Sequence, residues 1–310
     1  MNVPAAPSLS LLVVHWRDET SLAALLAALP TDDPRFEILV IDNGARAPLA
    51  VPPHVRLVVP GTNLGFGGGA NLAASLAHAP LLLVLNPDVV PGPGALEALV
   101  EGFAGQADAA GLAPRLVGDD GRAQTAWQLR TLPTPGTLLR HALFRDPVAR
   151  ATGEPLAGAA VEQPAAAALA LRRDAWERVG GFDATFHPAW FEDVDLARRL
   201  AAAGATLRYW PAAEMHHRLG GSVAPLGYGR FLWIYHRNLG RYLAKHHGRG
   251  WAWLARAVLV GGALARATAL PLRTPRRASS RGEALRGLLV TMLGALSAWT
   301  RPRALGREAG

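Results

Sequence analysis

The chain has 310 residues, no cysteine, a net charge of +8, and 50% hydrophobic against 18% charged residues. This length is enough for one large α/β domain or two smaller ones, and the composition excludes an intrinsically disordered protein. The lack of cysteine excludes disulfides and thiolate chemistry and fits a reducing compartment.

The first hundred residues alternate between apolar runs and helical patterns. The first apolar run, Leu9–Val14, is too short for the core of a secretory signal, so we predict a buried strand there. Strands are predicted at Ser10–Val14, Phe36–Ile41, Val55–Val59 and Leu81–Leu85, and helices at Leu22–Leu29, Asn71–Ala77 and Gly94–Phe103. Such alternation predicts a mostly parallel sheet with both faces covered, whose ligand site lies beyond the carboxyl ends of the strands.

Polar residues collect at these predicted strand ends. They are His15, Trp16, Asp42, Asn43, Asn86 and Asp88. A lone carboxylate at a strand end can hold Mg²⁺ or Mn²⁺ with water and a diphosphate, so Asp88 is a candidate metal ligand. An ordinary Asn-Pro turn at Asn86 is the structural alternative.

The string Gly65–Ala70 matches the pattern Gly-x-Gly-x-x-Gly/Ala. It follows the third predicted strand rather than the first, and no acid occurs between Asp42 and Asp88, so it is a poor nicotinamide-binding fingerprint. We predict a tight loop that lets the backbone approach a ligand, with a helix N-terminus behind it; a purely structural turn is the alternative.

Residues 104–165 are punctuated by proline and glycine and carry no clear pattern. Beyond them we predict a strand at Ala166–Leu171, a short helix at Asp174–Val179, a helix ending near Ala203 and a strand at Thr206–Trp210. His216 and His217 follow this last strand, and an imidazole there can complete a Mn²⁺ site with a carboxylate. Adjacent histidines are also often simply solvated.

Three acids, Glu192, Asp193 and Asp195, lie between an aromatic run containing Trp190 and a helical stretch. Acids in a first helical turn are stabilised by the helix dipole, so a capping role is one interpretation. A carboxylate beside aromatic side chains is partly removed from water, which raises its proton affinity toward that of a general base. The residue pattern alone does not choose between these interpretations or among the three acids.

The basic excess belongs to the C-terminal part of the chain. Residues 237–310 carry 14 Lys and Arg against two acids, a net +12, whereas residues 1–236 are net −4. Two apolar stretches, Trp251–Leu272 and Gly287–Thr300, are shorter or more interrupted than a membrane-spanning helix requires. We therefore predict amphipathic helices on an anionic membrane surface; packing on the rest of the protein or on a second subunit is the alternative.

Six strings resemble, in the same order, those of the family 2 inverting glycosyltransferases, especially the rhamnosyltransferase-like branch of bacterial surface polysaccharide assembly. The strings are Leu11–Trp16, Ile41–Gly44, Asn63–Asn71, Leu85–Asp88, Gly180–Leu196 and His217–Ser222. The resemblance covers roughly residues 8–245 and implies a GT-A type α/β nucleotide-binding domain with a mostly parallel central sheet, followed by C-terminal amphipathic helices.

The resemblance also implies roles for single residues. Asp193 is the catalytic base, and Glu192, Asp195 and Trp190 support it or bind the acceptor. Asp88 and His217 hold Mg²⁺ or Mn²⁺. The residues assigned to donor binding are His15, Trp16, Asp42, Asn43, Gly65, Phe66, Gly67, Asn71 and Asn86.

The implied function is inverting, metal-dependent transfer of a sugar, with rhamnose favoured, from a nucleotide-diphosphate sugar to a hydroxyl of a glycan or lipid-linked glycan. We predict a donor-binding half at residues 1–110, an acceptor-binding half at 111–235 and a basic helical region at 236–310. The protein is expected at the inner face of the cell membrane in the cytoplasm, without nucleic acid, and a homo-oligomer is an option. The alternatives are a nicotinamide-dependent oxidoreductase and a non-catalytic membrane-associated binding protein.

Overall fold

The computed structural model describes residues 6–45, 47–137, 153–218, 228–269 and 281–296. The chain divides into two compact units. The first comprises Met1–Leu132, Ala149–Ala184 and Glu192–Ser222, and the second Pro133–Val148, Thr185–Phe191 and Val223–Gly310. The domain boundaries predicted near residues 110 and 235 stay predictions.

The first unit is an α/β structure built on one large sheet. Its strands are β1 (Leu9–His15), β2 (Phe36–Asp42), β3 (Val55–Val58), β4 (Leu81–Leu85), β5 (Val89–Pro91), β6 (Ala109–Val117), β7 (Leu129–Arg130), β8 (Ala160–Val161), β9 (Gln163–Pro164), β10 (Ala168–Arg172) and β11 (Thr206–His217). Its helices are α1 (Glu19–Ala28), α2 (Gly65–Leu76), α3 (Ala95–Gly105), α4 (Thr125–Gln128), α5 (Arg173–Val179) and α6 (Glu192–Ala202).

The large sheet has the strand order β3-β2-β1-β4-β10-β6-β11-β5, and β8 also pairs with β11. Strands β7 and β9 form a separate two-stranded sheet. Strands β1 to β4 are parallel to one another, and β6 is parallel to β11. Strand β10 is antiparallel to both β4 and β6, so these two sets of parallel strands run in the same direction. The predicted α/β class with a mostly parallel central sheet is confirmed.

The two faces of the sheet carry separate hydrophobic layers, which explains why the central strands are apolar without alternation. Leu11 and Val13 of β1 face a layer that includes leucines of α1 and α3. Leu12 and Val14 face the other layer, which includes the buried sides of α2, α5 and α6. Successive side chains of a strand point to opposite faces, so both sets of residues must be apolar.

The sequence patterns placed the longer elements of the first unit within a few residues, whereas the short elements β5, α4, β7, β8 and β9 were not predicted. Three further differences concern longer elements. The glycine string is not a loop: it is helical from Gly65 and forms the first turns of α2. The last strand extends to His217, so the two histidines lie on β11 and not after it. Strand β6 lies within residues 104–165, where the sequence indicated no element.

Close packing requires a glycine at one position of α2. A Cβ on Gly69 would lie 2.8 Å from Val14 Cγ1 and 3.1 Å from Asn43 Nδ2. Helix α2 therefore approaches β1 more closely than any larger residue would allow. Gly69 therefore reflects contact between helix and sheet.

The second unit contains α7 (Tyr228–His246), α8 (Arg249–Ala269) and α9 (Arg281–Leu296). Helices α8 and α9 pack together in a cluster that includes buried Ala263, Ala284 and Leu288. Helix α9 also approaches α7 closely, because a Cβ on Gly294 would lie 2.7 Å from the Trp233 carbonyl oxygen. The predicted C-terminal helices are confirmed within these bounds; Trp299 and residues 270–272 and 297–300 lie outside the described residues. Within the described part of the chain, no helix is long and apolar enough to cross a bilayer.

Candidate active site

The ends of β1 and β2 carry a buried histidine–aspartate pair. His15 and Asp42 are partners in the β1–β2 register, and His15 Nδ1 lies 3.4 Å from Asp42 Oδ1. His15 Nε2 accepts the backbone N–H of Asp18, so Nδ1 carries the proton and donates it toward Asp42. Asp42 Oδ1 also accepts the backbone N–H groups of Gly44 and Ala45, at 2.9 and 2.7 Å. His15 is fully buried, and its two ring nitrogens contact Asp42 and the backbone of Asp18.

Asn43 joins the end of β2 to the start of α2. Its Nδ2 donates to the Gly65 carbonyl at 2.8 Å, and its Oδ1 accepts the Leu64 N–H at 3.1 Å. Trp16 lies beside Gly44, where an added Cβ would be 3.5 Å from Trp16 Cδ1. The predicted donor-side residues of β1, β2 and α2 are thus neighbours at one sheet edge.

The rest of the glycine string packs against Phe182. The rings of Phe66 and Phe182 are 5.7 Å apart, and a Cβ on Gly67 would lie 3.1 Å from Phe182 Cβ. Asn71 Nδ2 donates to the Phe182 carbonyl at 2.8 Å, and its Oδ1 accepts the Phe182 N–H at 2.9 Å. Asn71 therefore has a structural task, and its predicted contact with the donor stays a prediction, as do those of the other donor-side residues.

Asp88 and His217 meet because β5 pairs with the end of β11. Strand β5 starts one residue after Asp88, and Val89 is the antiparallel partner of His217. The pairing leaves His217 Nε2 3.8 Å from Asp88 Oδ2, with both side chains buried. The two predicted metal ligands are therefore neighbours, and their binding of a metal stays a prediction. Ser222, the last residue of the predicted string, lies outside the described residues.

Gln124 determines which nitrogen of His217 carries the proton. Gln124 Nε2 donates to the His217 carbonyl at 2.9 Å, so its Oε1 faces His217 Nδ1, at 2.7 Å. A carboxamide oxygen only accepts, so Nδ1 must be the protonated nitrogen and Nε2 presents a lone pair toward Asp88. Burial lowers the pKa of His217 to about 4, which keeps the ring neutral near pH 7.

A lone pair and a carboxylate that face each other across 3.8 Å form an arrangement suited to a divalent cation. The amide of Gln124 would orient the imidazole as an outer-shell partner does in metal sites. The described residues contain no group of three or more His, Asp or Glu able to hold a metal. Two protein ligands nevertheless fit Mg²⁺ or Mn²⁺, because sites for these ions on nucleotides take one or two carboxylates plus substrate phosphates.

Asp193 is at the start of α6 and is hydrogen-bonded to β9 and to the segment between β9 and β10. Its Oδ1 accepts the N–H of Val194 at 2.8 Å, its Oδ2 lies 3.4 Å from Gln163 Nε2, and the backbone N–H of Ala166 also donates to it. The carbonyl of the next residue, Ala167, accepts the N–H of Asn86. Asp193 is therefore linked through two backbone residues to the strand end that leads to Asp88.

Burial raises the pKa of Asp193, and the positive charge of Arg130 and the backbone N–H groups of Val194, Ala166 and Asp193 itself oppose this rise only in part. A carboxyl group with a raised pKa is a stronger base than an exposed aspartate once it is ionised. Its position and its proton affinity both suit proton abstraction from a bound hydroxyl group.

The two neighbouring acids have different surroundings. Asp195 is fully buried and accepts from Arg199 Nε at 2.7 Å, and Arg199 also binds the carbonyls of Val179 and Gly181. This ion pair therefore connects α6 to the turn that follows α5. Glu192 is also buried, and its Cβ lies 3.7 Å from the position that a Cβ on Gly67 would take. A supporting role fits both residues, and acceptor binding by either stays a prediction.

Trp190 belongs to the second unit, two residues before Glu192. Its ring packs edge-to-face against Phe231, with centroids 4.9 Å apart. Its predicted contact with the acceptor stays a prediction.

Sequence reasoning missed Gln124, Gln163 and Arg130. All three belong to residues 104–165, where no pattern indicated structure. Glutamine carries no charge and belongs to none of the six strings. The positions of Gln124 and Gln163 in the site are therefore evident only from their hydrogen bonds to His217 and Asp193, respectively.

Comparison with known sequences identifies the family. The model described as glycosyl transferase family 2 matches residues 10–154. The N-acetylglucosaminyl-diphospho-decaprenol L-rhamnosyltransferase of Mycobacterium tuberculosis is 32% identical over 291 residues, which cover 85% of this chain and 91% of the relative. The pre-mycofactocin glycosyltransferase of the same species is 29% identical over 66% of this chain and 45% of its own length.

Solved structures support the fold. A mannosyltransferase from Pyrobaculum calidifontis, solved with GDP-Man and Mn²⁺, has a TM-score of 0.51 at 14% identity and covers 95% of this chain and 88% of its own. Staphylococcus aureus TarS has a TM-score of 0.50 at 15% identity and covers 87% of this chain and 46% of its own. The predicted GT-A fold is confirmed.

The family relation excludes the oxidoreductase and the non-catalytic alternatives. The chain belongs to glycosyl transferase family 2 and is a glycosyltransferase.

Proposed function

We propose that the protein transfers rhamnose from a nucleotide-diphosphate sugar to a hydroxyl group of a saccharide linked through diphosphate to a polyprenol. The observation that carries this proposal is the 32% identity, over 85% of the chain, to an enzyme named for that activity. The site residues support it: Asp193 is a candidate base, and Asp88 and His217 are candidate ligands for a cation that would bind a diphosphate.

In the proposed reaction, Asp193 removes the proton from the acceptor hydroxyl as its oxygen attacks the anomeric carbon. The bond from that carbon to the diphosphate oxygen breaks, and the diphosphate leaves with the electron pair. Attack and departure occur on opposite faces of the sugar, so one displacement inverts the configuration. No covalent intermediate with the protein is required.

Asp88 and His217 would hold Mg²⁺ or Mn²⁺. Such an ion neutralises the charge that builds on a departing diphosphate. The hydrogen bonds from Gln124 keep His217 Nε2 deprotonated and aimed at Asp88. Both side chains are buried, which strengthens the attraction of the Asp88 carboxylate for a cation.

A panel of donors tests the proposal. Deoxythymidine-, uridine- and guanosine-diphosphate sugars are supplied with a short-chain N-acetylglucosaminyl-diphospho-polyprenol, and release of nucleoside diphosphate is measured with Mg²⁺ or Mn²⁺. We expect deoxythymidine-diphosphate rhamnose to give the highest kcat/KM, and the product to have inverted anomeric configuration by NMR. Preference for another sugar would refute the rhamnose assignment, and retained configuration would refute the single displacement.

We also propose that the C-terminal helices attach the enzyme to an anionic membrane surface. Helix α9 exposes four leucines at spacings of four, four and three residues: Leu285, Leu289, Leu293 and Leu296, between 44% and 61% exposed. Helix α8 exposes Trp253, Leu254 and Leu264. Apolar helix faces of this kind within a region of net charge +12 suit the boundary of anionic lipid headgroups and acyl chains.

Replacing Leu289 and Leu293 together with glutamate should weaken sedimentation with phosphatidylglycerol vesicles by at least about tenfold, because two large apolar side chains no longer enter the bilayer boundary. The matched control replaces Val59 and Leu156 with glutamate; both are exposed apolar residues of the first unit. Equal vesicle binding by the wild-type protein, the leucine variant and the control variant would contradict the proposal. If light scattering instead shows that the leucine variant dissociates a dimer, these leucines form a contact between subunits.

A further inference from the structure

The segment Thr185–Phe191, which leads into α6, has a strained backbone. Trp190 has φ of +70° and Phe191 has φ of +76°. A residue with a Cβ in this left-handed region costs of order 1–3 kcal/mol, and large side chains adopt it rarely. Two consecutive aromatic residues in this conformation persist only when other contacts hold the backbone. Asp193 follows Phe191 by two residues.

Asn238 of α7 supplies such contacts. This side chain is fully buried, and its Nδ2 lies within hydrogen-bond distance of three carbonyl oxygens of the segment. The distances are 3.1 Å to Phe186, 2.8 Å to Ala189 and 3.1 Å to Trp190. Carbonyl oxygens only accept hydrogen bonds, so the NH₂ group of the Asn238 side chain, and not its oxygen, must face them.

Two arginines of α7 extend the same pattern. Arg237 donates to the His187 carbonyl, and Arg241 donates to the Thr185 carbonyl. Arg241 also lies 3.3 Å from Asn238 Oδ1, which links the two side chains. We call Arg237, Asn238 and Arg241 the α7 clamp. Together they bind the carbonyls of five of the seven residues in the segment.

Packing of aromatic rings adds to the clamp without replacing it. Phe191 lies 5.1 Å from the Tyr235 ring and 5.7 Å from the Tyr242 ring, both on α7. Rings can slide while they stay in contact, whereas hydrogen bonds to carbonyls determine the direction of each peptide. The positive φ angles of Trp190 and Phe191 are therefore attributed mainly to the clamp.

We propose that the α7 clamp positions Asp193 for catalysis by holding the strained segment in one conformation. The proposal rests on the proposed function, in which Asp193 is the base. The clamp residues bind backbone carbonyls, so they are positioning residues and not catalytic ones. A displacement of about 1 Å in a catalytic group can reduce the rate by about 10²-fold, so loss of the clamp should act on kcat.

Asn238→Ala removes the central donor and tests the clamp directly. We expect kcat to fall by about 10²-fold at saturating donor and acceptor. The dissociation constant for the nucleoside diphosphate, measured by calorimetry, should stay within about twofold, because the donor-side residues belong to the first unit. Hydrogen exchange followed by mass spectrometry should show faster exchange of the 185–191 amides.

The control for lost stability is Thr291→Val. Thr291 is a buried polar residue of α9 in the same unit, and its hydroxyl donates to the Gly287 carbonyl within the helix. All variants are assayed well below their unfolding midpoints. If Thr291→Val loses as much kcat as Asn238→Ala, the effect is general destabilisation and the proposal fails.

A second pair of variants covers the case in which Asn238→Ala does not fold. Arg241→Ala removes a partly exposed member of the clamp and should lower kcat several-fold, while Arg241→Lys retains a donor and should recover much of that loss. Wild-type kcat and wild-type exchange in a folded Asn238→Ala or Arg241→Ala protein would overturn the proposal. Absence of transfer by the wild-type protein with every donor would instead overturn the proposed function, and the exchange rates would still test the clamp.

Discussion

The Asp193→Asn variant is expected to lower kcat by about 10³-fold or more while binding of the sugar nucleotide persists. An amide cannot accept the acceptor proton, and a general base contributes about 10²–10⁴-fold. The replacement has the same shape and keeps one oxygen, which can accept the N–H group of Val194. We therefore expect the fold of α6 to survive. The measurement is steady-state release of nucleoside diphosphate together with calorimetric donor binding.

The dependence of kcat on pH gives an independent check on the same residue. Asp193 acts as a base only when it is ionised, and burial raises its pKa above the ordinary aspartate value of 3.8. Activity should therefore fall as the pH decreases through this raised pKa, at a higher pH than an exposed aspartate would cause.

Asp174→Asn is the matched control for Asp193→Asn. Asp174 lies on α5 in the same unit, is 70% exposed and makes only a long contact of 3.4 Å with Arg178. We expect this variant to have wild-type kcat. Near-normal turnover by Asp193→Asn would remove Asp193 as the base, and an acidic limb near pH 3.8 would contradict the effect of burial.

Replacement of Asp88 by alanine or His217 by alanine should lower kcat by about 10²-fold or more and weaken Mn²⁺ binding. Each side chain supplies one of the two facing groups of the proposed cation site, at 3.8 Å from each other. Removal of either side chain leaves a single protein ligand for the ion. Mn²⁺ binding is measured by electron paramagnetic resonance with nucleoside diphosphate present, which gives a readout separate from turnover.

The chain offers a matched control for this pair one residue away. His216 Nε2 lies 2.9 Å from Asp119 Oδ1, and both side chains are exposed. His216→Ala and Asp119→Ala remove the same residue types from the same strand end and should keep wild-type Mn²⁺ binding and turnover. Full activity of the wild-type protein in excess chelator would refute the metal assignment. Equal losses from the two histidine variants would show that the effect is not specific to His217.

The architecture of the first unit could be predicted from residue patterns because both faces of its sheet are covered. Strands such as Leu81–Leu85 must be apolar on every side chain, which makes them visible as continuous runs. The carboxyl ends of parallel strands share an edge, so His15, Asp42 and Asp88 could be placed together without coordinates.

Prediction from residue patterns failed where a residue type is required by packing against another part of the chain. The glycines from Gly67 to Gly69 indicated a ligand loop, but they are small because Phe182, Leu64 and Val14 pack against them. A single sequence does not distinguish a glycine needed for a turn from one needed for close packing.

The sequence by itself determined the fold class, the ends of the strands that carry the site and the basic, helical character of the C-terminal region. These depend on periodicity, composition and order, which are local properties. Only the tertiary structure decided that β5 pairs with the end of β11, that Gln124 leaves His217 Nε2 as a lone pair facing Asp88, and that Asn238 binds the strained segment before Asp193. Each of these contacts joins residues about 50 or more positions apart. A hydrogen bond over such a separation depends on how the chain packs and leaves no periodic trace in the sequence.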